Sequence, residues 1–451
     1  MKITADLLMK HDRPGPRYTS YPTAPVWTDA FKEADYQERL AAANRERGKP
    51  LALYVHIPYC ESLCWYCGCS VVISKNRKKG SDYVDLVARE VATLARHLPD
   101  RRQVGQHHWG GGTPTFLPPE ELQRLYRAIT AHFPSLPDAE VSIEVHPAVT
   151  SVEQLQALRE VGFNRLSMGV QDFTPEVQEA IHRHQGEEQT ANLIAAARKL
   201  GFLSINVDLV YGLPYQTVAG FGSSIDAVLR MGIDRVVCYS YAHVPWLKKH
   251  QRVIPEAALP KGPAKFELFA TAWQKFTDAG FVSVGMDHFA RREDEMARAL
   301  EAGTLHRNFM GYTTKKSDDM VAFGVTSIAD VAGAFVQSER ELPLWQAAVE
   351  AGRLPVHKGW RRTADDEARR AVILDLMCRF RVRYAEHPGF AERFAPELER
   401  LRPFEAEGML VLGPDGIAVT EVGRAFIRNV CMVFDAYLPQ QQSKPVFSRT
   451  V

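Results

Sequence analysis

The 451-residue sequence predicts an α/β protein in which repeated βα units build a parallel sheet, followed by a mainly helical C-terminal domain. Three observations carry this. From Leu51 onward short apolar runs alternate with helical patterns, as parallel strands joined by crossover helices require. The runs end in polar or glycine-rich turns, which in such folds sit at the carboxyl ends of the strands and hold active sites. After about residue 360 the texture changes to helices and a single hairpin.

In chain order, residues 1–50 contain Pro14-Gly-Pro-Arg-Tyr-Thr-Ser-Tyr-Pro-Thr23, where three prolines forbid a regular helix and imply an ordered extended segment. Strands are expected over Leu51–Ile57, His107–Trp109, Glu140–Val145, Arg165–Val170, Ser204–Val210 and Arg235–Tyr241. Between them, Ser151 and Gln154 form a capping box, and Thr174-Pro175 supplies a cap with proline at the first helical position. Met320–Val336 is the most membrane-like stretch, but Thr326, Ser327 and Asp330 interrupt it and it is shorter than the about 20 apolar residues of a span. It reads as core strand and loop. Helices are expected over Ala364–Phe380 and Phe390–Leu401, then a hairpin over Met409–Thr420 turning at Asp415-Gly416, then a last helix, a winged-helix-like pattern. Charges there are balanced, which favours a lid or packing role over a DNA-binding wing.

Net charge is +1, from 55 basic and 54 acidic residues, so no global field recruits nucleic acid or an anionic membrane. The N-terminus has no apolar signal core, and a cytoplasmic location is expected. Of seven cysteines, four lie between positions 60 and 69, which points to metal or cluster chemistry rather than disulfides.

Those four stand in Cys60-Glu-Ser-Leu-Cys64-Trp-Tyr-Cys67-Gly-Cys69, just after the first strand. Three thiolates at spacings of four and three can ligate three irons of a 4Fe-4S cubane and leave the fourth iron open. An open iron can chelate S-adenosylmethionine, whose reductive cleavage gives a 5′-deoxyadenosyl radical. The competing readings are a zinc knuckle, for which the second ligand pair is lacking, and a redox disulfide, which needs only two of the thiols. Cys238, Cys378 and Cys431 are isolated and read as buried cysteines. Glycines in Trp109-Gly-Gly-Gly-Thr-Pro-Thr115 let backbone approach a ligand closely, without the Lys-Ser/Thr ending of a phosphate loop. Glu144, Gln171, Arg183 and Asp208 supply polar groups at successive strand ends. Singly each is commonly a salt bridge or a cap; together they read as a pocket.

With these motifs in view the chain resembles the oxygen-independent coproporphyrinogen III oxidase (coproporphyrinogen dehydrogenase) family of the radical S-adenosylmethionine superfamily. The motifs are Pro16-Arg-Tyr-Thr-Ser-Tyr-Pro-Thr-Ala24, Tyr54-Val-His-Ile-Pro-Tyr-Cys60 through Cys69, His108-Trp-Gly-Gly-Gly-Thr-Pro-Thr115 and Asn164-Arg-Leu-Ser-Met-Gly-Val-Gln-Asp-Phe173. Asp208-Leu-Val-Tyr-Gly-Leu-Pro214, Tyr241-Ala-His243, Gly285-Met-Asp-His-Phe-Ala290 and His306-Arg-Asn-Phe309 follow in order. The resemblance implies an incomplete parallel (β/α) barrel of the radical SAM type over 51–345, an N-terminal extended and helical segment near the active site over 1–50, and a mainly helical, winged-helix-like domain over 346–451.

It implies a cluster on Cys60, Cys64 and Cys67 and two S-adenosylmethionine molecules per site. Tyr54, Gly111 and Glu144 would hold the cluster-bound one; Tyr66, Gly112, Thr113, Gln171, Arg183, Asp208, Ala242 and Ile328 would line the second. Cys69 is the family's extra cysteine, expected not to ligate and a candidate for a role in the reaction. That reaction is oxidative decarboxylation of two propionates of coproporphyrinogen III to vinyls, giving protoporphyrinogen IX. It needs an external one-electron donor and an electron acceptor, and the protein is expected to act as a monomer with neither nucleic acid nor membrane as partner. A tetra-acidic substrate needs a basic lining, for which Arg17, Arg165 and Arg307 are candidates.

The chain departs from the family pattern at His146, His182 and His184, read as neutral changes at rim positions, with a changed substrate or radical partner as the alternative. A haem-binding chaperone of a related family and a radical haem-modifying methyltransferase are the other readings. The first usually shows Cys-x-Phe/Tyr where this chain has Cys67-Gly-Cys69.

Overall fold

The structure is a computed structural model that describes residues 5–438 and 447–450. One twelve-stranded sheet organises it. In chain order its strands are β1 (Leu51–Ile57), β2 (Val104–Gly111), β3 (Ser135–Val145), β4 (Arg165–Gln171), β5 (Ser204–Tyr211), β6 (Arg235–Ser240), β7 (Phe281–Gly285), β8 (His288–Arg291), β9 (Met320–Phe323), β10 (Ile328–Val331), β11 (Ala334–Ser338) and β12 (Val356–Arg361). The spatial order is β12-β11-β10-β9-β1-β2-β3-β4-β5-β6-β8-β7. β9 and β1 to β6 run parallel, and antiparallel strands finish both edges. This is the partial (β/α) barrel expected, with the sheet running on to Arg361.

The parallel strands carry Val, Ile and Leu toward the covering helices, where Leu53, Val55, Ile143, Val207 and Val236 are fully buried, the burial that keeps such sheets between helical layers. The helix Val152–Val161 starts at the expected capping box: Gln154 N–H donates to Ser151 Oγ at 3.3 Å and Ser151 N–H to Gln154 Oε1 at 2.9 Å. Thr174 stands at the N-cap and Pro175 at the first helical position as expected, but the Thr174 side chain makes no capping bond to the helix Pro175–Ala180. Its own N–H donates to Asp172 Oδ1 at 2.6 Å. Met320–Val336 is core strand and loop as expected: β9, β10 and the start of β11, joined by short turns. Thr326 and Ala332, at φ 64° and 45°, make the tight turns between them.

In the C-terminal region the helix Ala364–Arg379 is capped by Thr363 and Asp366. A three-stranded sheet then sets Gly416–Val419 between Arg381–Arg383 and Leu410–Gly413. The hairpin turns at Pro414-Asp415, since Gly413 and Gly416 face each other in the ladder. A side chain at Gly416 would meet Val382 O at 2.1 Å, so close strand packing rather than the turn demands that glycine. The second helix is broken at Phe394 into Phe390–Arg393 and Ala395–Ala406, because Pro396 in the first turn of the latter can only start a helix.

This region shares one core with the N-terminal segment and the sheet edge: Leu8, Tyr18 and Tyr21 pack with Val284, Ala290, Val372, Leu376 and Phe426. Tyr18 Oη donates to Asp435 at 3.0 Å, and Asn429 to His11 O at 2.8 Å. No helix among the described residues is long and apolar enough to cross a membrane.

Candidate functional site

Successive side chains of a strand point to opposite faces, and the sheet register aligns those on the face away from the helices. Tyr54, His108, Ser142 and Arg165 form one row; Glu144, Ser167 and Asn206 form the next. His108, Ser142, Glu144, Ser167, Asn206 and Asp208 line a cavity that Tyr239, His288 and Tyr312 also border. A barrel interior is ordinarily filled with branched apolar side chains. Here it is polar and open.

The cysteine loop sits at the carboxyl end of β1, above this interior. Tyr59-Cys60 pairs in parallel with Val72-Ile73, closing the loop at its neck. Gly112 N–H donates to Ile57 O at 2.8 Å and Thr113 N–H to Tyr59 O at 2.9 Å, tying the glycine run beneath it. Thr113 Oγ1 lies 3.3 Å from Cys60 Sγ, Arg183 Nη1 donates to Cys64 Sγ at 3.6 Å, and Cys69 N–H donates to Cys67 Sγ at 3.4 Å. From outside, Trp65 N–H donates to Ile181 O at 2.9 Å and its indole stacks on His182 with ring centres 5.1 Å apart. Lys248 Nζ, His250 Nε2 and Gln251 Nε2 donate to the carbonyls of Cys69, Cys67 and Tyr66 at 2.9, 2.8 and 2.9 Å.

This donor set fits an iron–sulfur cluster. Cys60, Cys64 and Cys67 are free thiols, half-buried on one loop. Among the described residues no three His, Cys, Asp or Glu side chains gather round a single point as one zinc ion needs, whereas a cubane takes its thiolates at separate irons. Burial pushes the Cys60 thiol up to about 11 and raises Cys64, against which Arg183 pulls. Hydrogen bonding from the Cys69 side chain draws Cys67 down to about 6, and Cys69 itself is raised by holding the shared proton.

The glycine run makes room for the protein's own groups. A Cβ at Gly110 would sit 2.8 Å from the Glu144 carboxyl, one at Gly112 2.6 Å from Pro58 O, and one at Gly111 2.7 Å from the His56 ring, with φ at +116°. The protein's own groups fill those places. Glu144 accepts from Gly111 N–H at 3.2 Å and from His108 Nε2 at 3.4 Å. Burial opposes its charge, but the His108 and Gly111 bonds win and hold the carboxylate below its ordinary range. Tyr54 Oη lies 3.1 Å from His56 Nδ1, and His56 Nε2 reaches Ser70 O at 3.0 Å.

A second group gathers at the ends of β4 and β5. Gly169 leaves space for Gln171 and Arg183, whose amide and guanidinium tips would lie 2.8 and 2.9 Å from a Cβ there. Arg183 donates to Gly169 O, and its buried Nε has no acceptor. Asp208 accepts from Asn206 at 2.8 Å and Ser167 at 3.2 Å; burial, then the charge of Glu144, raises it to about 7. Tyr66 sits on the cysteine loop, and Ala242 O accepts from Gln251 at 3.2 Å just after β6. Ile328 opens β10, on the opposite arm of the sheet from Asp208.

Of the three arginines expected to line a substrate site, two are already neutralised. Arg17 pairs with Asp287 at 2.5 Å, and Arg165 with Glu295 at 2.5 Å and Glu140 at 3.3 Å. Arg307 is buried over the Tyr312 ring, and its Nε and Nη1 lack acceptors. The three unexpected histidines are engaged by their surroundings. His182 Nδ1 donates to Leu63 O at 2.9 Å, His146 Nδ1 accepts from Ala148 N–H at 3.1 Å, and His184 lies 3.6 Å from Glu179. Burial, aided by Arg183, keeps His146 neutral with its pKa lowered to about 3.

Three features went unassigned in the sequence. His56 alternates with apolar residues in β1, a spacing that could have marked it, whereas His108 directly follows His107 and carries no such pattern. Asp287 binds both Arg17 and His288 Nδ1, the latter at 2.8 Å, within a motif quoted above without a role. The clasp from Lys248, His250 and Gln251 had no local signal.

Compared with known proteins, residues 54–228 match the Radical SAM superfamily model. The oxygen-independent coproporphyrinogen III oxidase of Escherichia coli is 41% identical over 99% of this chain and 98% of its own length. That of Synechocystis is 38% identical over 100% and 98%. A solved structure of the Escherichia coli coproporphyrinogen III oxidase, described as a radical SAM enzyme, superposes with a TM-score of 0.90 at 40% identity, over 93% of this chain and 97% of that one.

Proposed function

The chain belongs to the oxygen-independent coproporphyrinogen III oxidase family of the radical S-adenosylmethionine superfamily, and from that premise we propose how its residues divide the work. The protein is an oxidoreductase using a 4Fe-4S cluster and S-adenosylmethionine. It decarboxylates two propionates of coproporphyrinogen III oxidatively to vinyl groups, giving protoporphyrinogen IX. The observation that carries this reading is the placement of Cys60, Cys64 and Cys67 on one loop above a polar barrel interior, in a chain alike to these oxidases over its full length.

Bound together, the cluster and S-adenosylmethionine supply a 5′-deoxyadenosyl radical able to take a β-hydrogen from each propionate. The chain's part is to hold and orient. Cys60, Cys64 and Cys67 are the cluster ligands. Glu144, kept ionised by Gly111 N–H and His108, accepts the ammonium of the first cofactor molecule, with Tyr54 and Gly111 beside it. A second molecule would be held by Tyr66, Gly112, Thr113, Gln171, Arg183, Asp208, Ala242 and Ile328. Support comes from the free Arg183 Nε, which suits a carboxylate, and from Asp208, whose acceptor oxygens suit ribose hydroxyls. Arg307, with two unmet N–H groups and no paired carboxylate among the described residues, is the best suited of the three arginines to a propionate. Cys69 stays off the iron and serves from beside it. An external one-electron donor and a separate acceptor complete the reaction.

Anaerobic, reconstituted protein given a reductant, S-adenosylmethionine and coproporphyrinogen III should release carbon dioxide and form protoporphyrinogen IX. Haem that is merely bound or methylated, with coproporphyrinogen unchanged, would instead favour the chaperone or methyltransferase reading.

A further inference from the structure

We propose that His288 accepts a hydrogen bond from a pyrrole N–H of the porphyrinogen substrate, with Asp287 and Arg17 as positioning residues that fix the ring tautomer able to do so. The proposal rests on the functional reading above and adds a substrate contact to it. Neither a proton nor an electron is transferred in the contact.

The hairpin between β7 and β8 fixes the ring. Met286 and Asp287 make its turn, Met286 at φ 45°, and Cys238 N–H donates to Asp287 O at 2.8 Å, pinning the turn to β6. The Asp287 side chain is buried. Its Oδ2 accepts from Arg17 at 2.5 Å and its Oδ1 from His288 Nδ1 at 2.8 Å. Burial opposes the charge of Asp287, but the Arg17 guanidinium and the His288 bond hold its carboxyl well below the ordinary carboxylate range. Burial also lowers His288, against the pull of Asp287, so the ring is neutral. An ionised carboxylate can only accept. Nδ1 therefore carries the hydrogen, and Nε2 carries a lone pair.

Nε2 has no partner among the described residues, and the ring borders the polar barrel cavity beside Tyr239 and Tyr312. Tyr312 meets it T-shaped with ring centres 4.9 Å apart, and donates its own hydroxyl hydrogen to Met377 O at 2.9 Å. A Cβ at Gly311 would sit 3.9 Å from Nε2, in contact with it, so the bare glycine keeps the space beside Nε2 free. An acceptor held out of bulk water is costly unless a donor meets it. The propionates of the substrate are ionised and bring acceptors only; its donors are the pyrrole N–H groups. Arg307 packs on the same Tyr312 ring, 4.5 Å from its centre, with the unmet N–H groups that suit a propionate. A single pyrrole ring carries both an N–H and a propionate, and Tyr312 thus has an acceptor for the first and a donor for the second packed against it. The contact also selects oxidation state, because a fully oxidised porphyrin has ring nitrogens without hydrogen, which would meet Nε2 lone pair to lone pair.

The test measures binding without turnover, on reconstituted holoenzyme held anaerobically with S-adenosylmethionine but no reductant. Coproporphyrin III, the oxidised macrocycle with the same propionates, is titrated by its fluorescence anisotropy, and coproporphyrinogen III by displacing it. The ratio of the two dissociation constants is the readout, since a general loss of fold or of propionate contacts moves both alike. His288→Phe keeps a ring against Tyr312 without an acceptor, and should cut the preference for the porphyrinogen by about ten-fold or more. Asp287→Asn should do the same by another route: its amide donates to Nδ1, the ring hydrogen moves to Nε2, and a donor then faces the pyrrole N–H. His288→Gln, which can place an amide oxygen where Nε2 stood, should stay within about three-fold of the parent. A ratio in His288→Phe within about three-fold of the parental one, whatever the separate affinities, would overturn the proposal. A parent that shows the expected pattern yet forms no protoporphyrinogen once reductant is added would remove the functional reading and leave the contact, whereas turnover with an unmoved ratio removes the contact alone.

Discussion

Burial and Arg183 act on the Cys64 thiol in opposite senses: the first raises its pKa, the second offers a guanidinium 3.6 Å away that favours the thiolate. On the proposed assignment, bound iron would complete what Arg183 begins. Cys64→Ala should therefore lose its iron, by more than the roughly 10–100-fold in affinity that removing a supporting partner costs, and lose S-adenosylmethionine cleavage with it; a full cluster in that variant would refute the ligand assignment. Cys69→Ser should keep parental iron and sulfide if, as proposed, its neighbour Cys67 supplies the third thiolate. Its porphyrinogen turnover should fall, whereas loss of iron would make Cys69 a ligand. Asp208 makes a different claim, about pH. Its folded pKa of about 7 lies well above its ordinary value of 3.8, so between those values the folded protein holds a proton that the unfolded chain releases. The stability penalty is absent below about pH 4, grows as pH rises, and is complete above 7. Asp208→Asn should thus gain on the order of 1 kcal/mol or more at pH 8 and nothing at pH 4. Equal melting shifts at the two pH values would show that Asp208 is not strained by burial.

Among the elements, the clasp over the cysteine loop hinges on Gln251, which is 1% exposed. Its Oε1 accepts from Val244 N–H at 2.6 Å, and its Nε2 donates to Tyr66 O and Ala242 O. Gln251→Ala strands three backbone groups and should cost about 2–4 kcal/mol. Because one of them belongs to the loop, iron should also pass to a chelator faster than from the parent; destabilisation with unchanged iron release would confine Gln251 to scaffolding. Such a clasp joins positions about 185 residues apart, and nothing local announces it. What was legible is what local chemistry dictates. β1 was expected at its observed ends, and β4 to β6 to within a residue at each end, because their runs are apolar and bounded by turns. The starts of β2 and β3 were missed, since Val104-Gly105-Gln106 and Ser135-Leu-Pro-Asp138 look like loop until neighbouring strands pair with them. The cysteine spacing gave the cluster. It could not give the inward polar rows, which exist only once His108, Ser142 and Ser167 are brought into register. Nor could it show that Glu144 and His56 fill the space beside the glycines.

At the scale of the molecule, the C-terminal region does not stand apart as a mobile wing. The helix Ala364–Arg379 buries Val372, Ile373, Leu376 and Met377 against Val284 and Ala290 of the sheet edge and against Tyr18 and Tyr21 of the N-terminal segment. The packing role expected from its balanced charge is the one its core describes. A core shared by three stretches of chain couples their unfolding, because none can leave without exposing the apolar faces of the others. Leu376 is fully buried there, and Leu376→Ala should cost about 2–5 kcal/mol. The informative readout is where that loss is felt. Trp109, Trp273 and Trp345 are buried in the separate core between sheet and helices, whereas Trp360 packs on Tyr437 of the C-terminal region, so in a Trp360→Phe background tryptophan fluorescence is weighted to the barrel while far-UV circular dichroism follows every helix. If the shared core couples the regions, guanidinium midpoints from both signals move down together in Leu376→Ala. A circular-dichroism transition that moves alone, with the fluorescence midpoint unchanged, would mean that the C-terminal region unfolds by itself and that the barrel holds its cysteine loop without it.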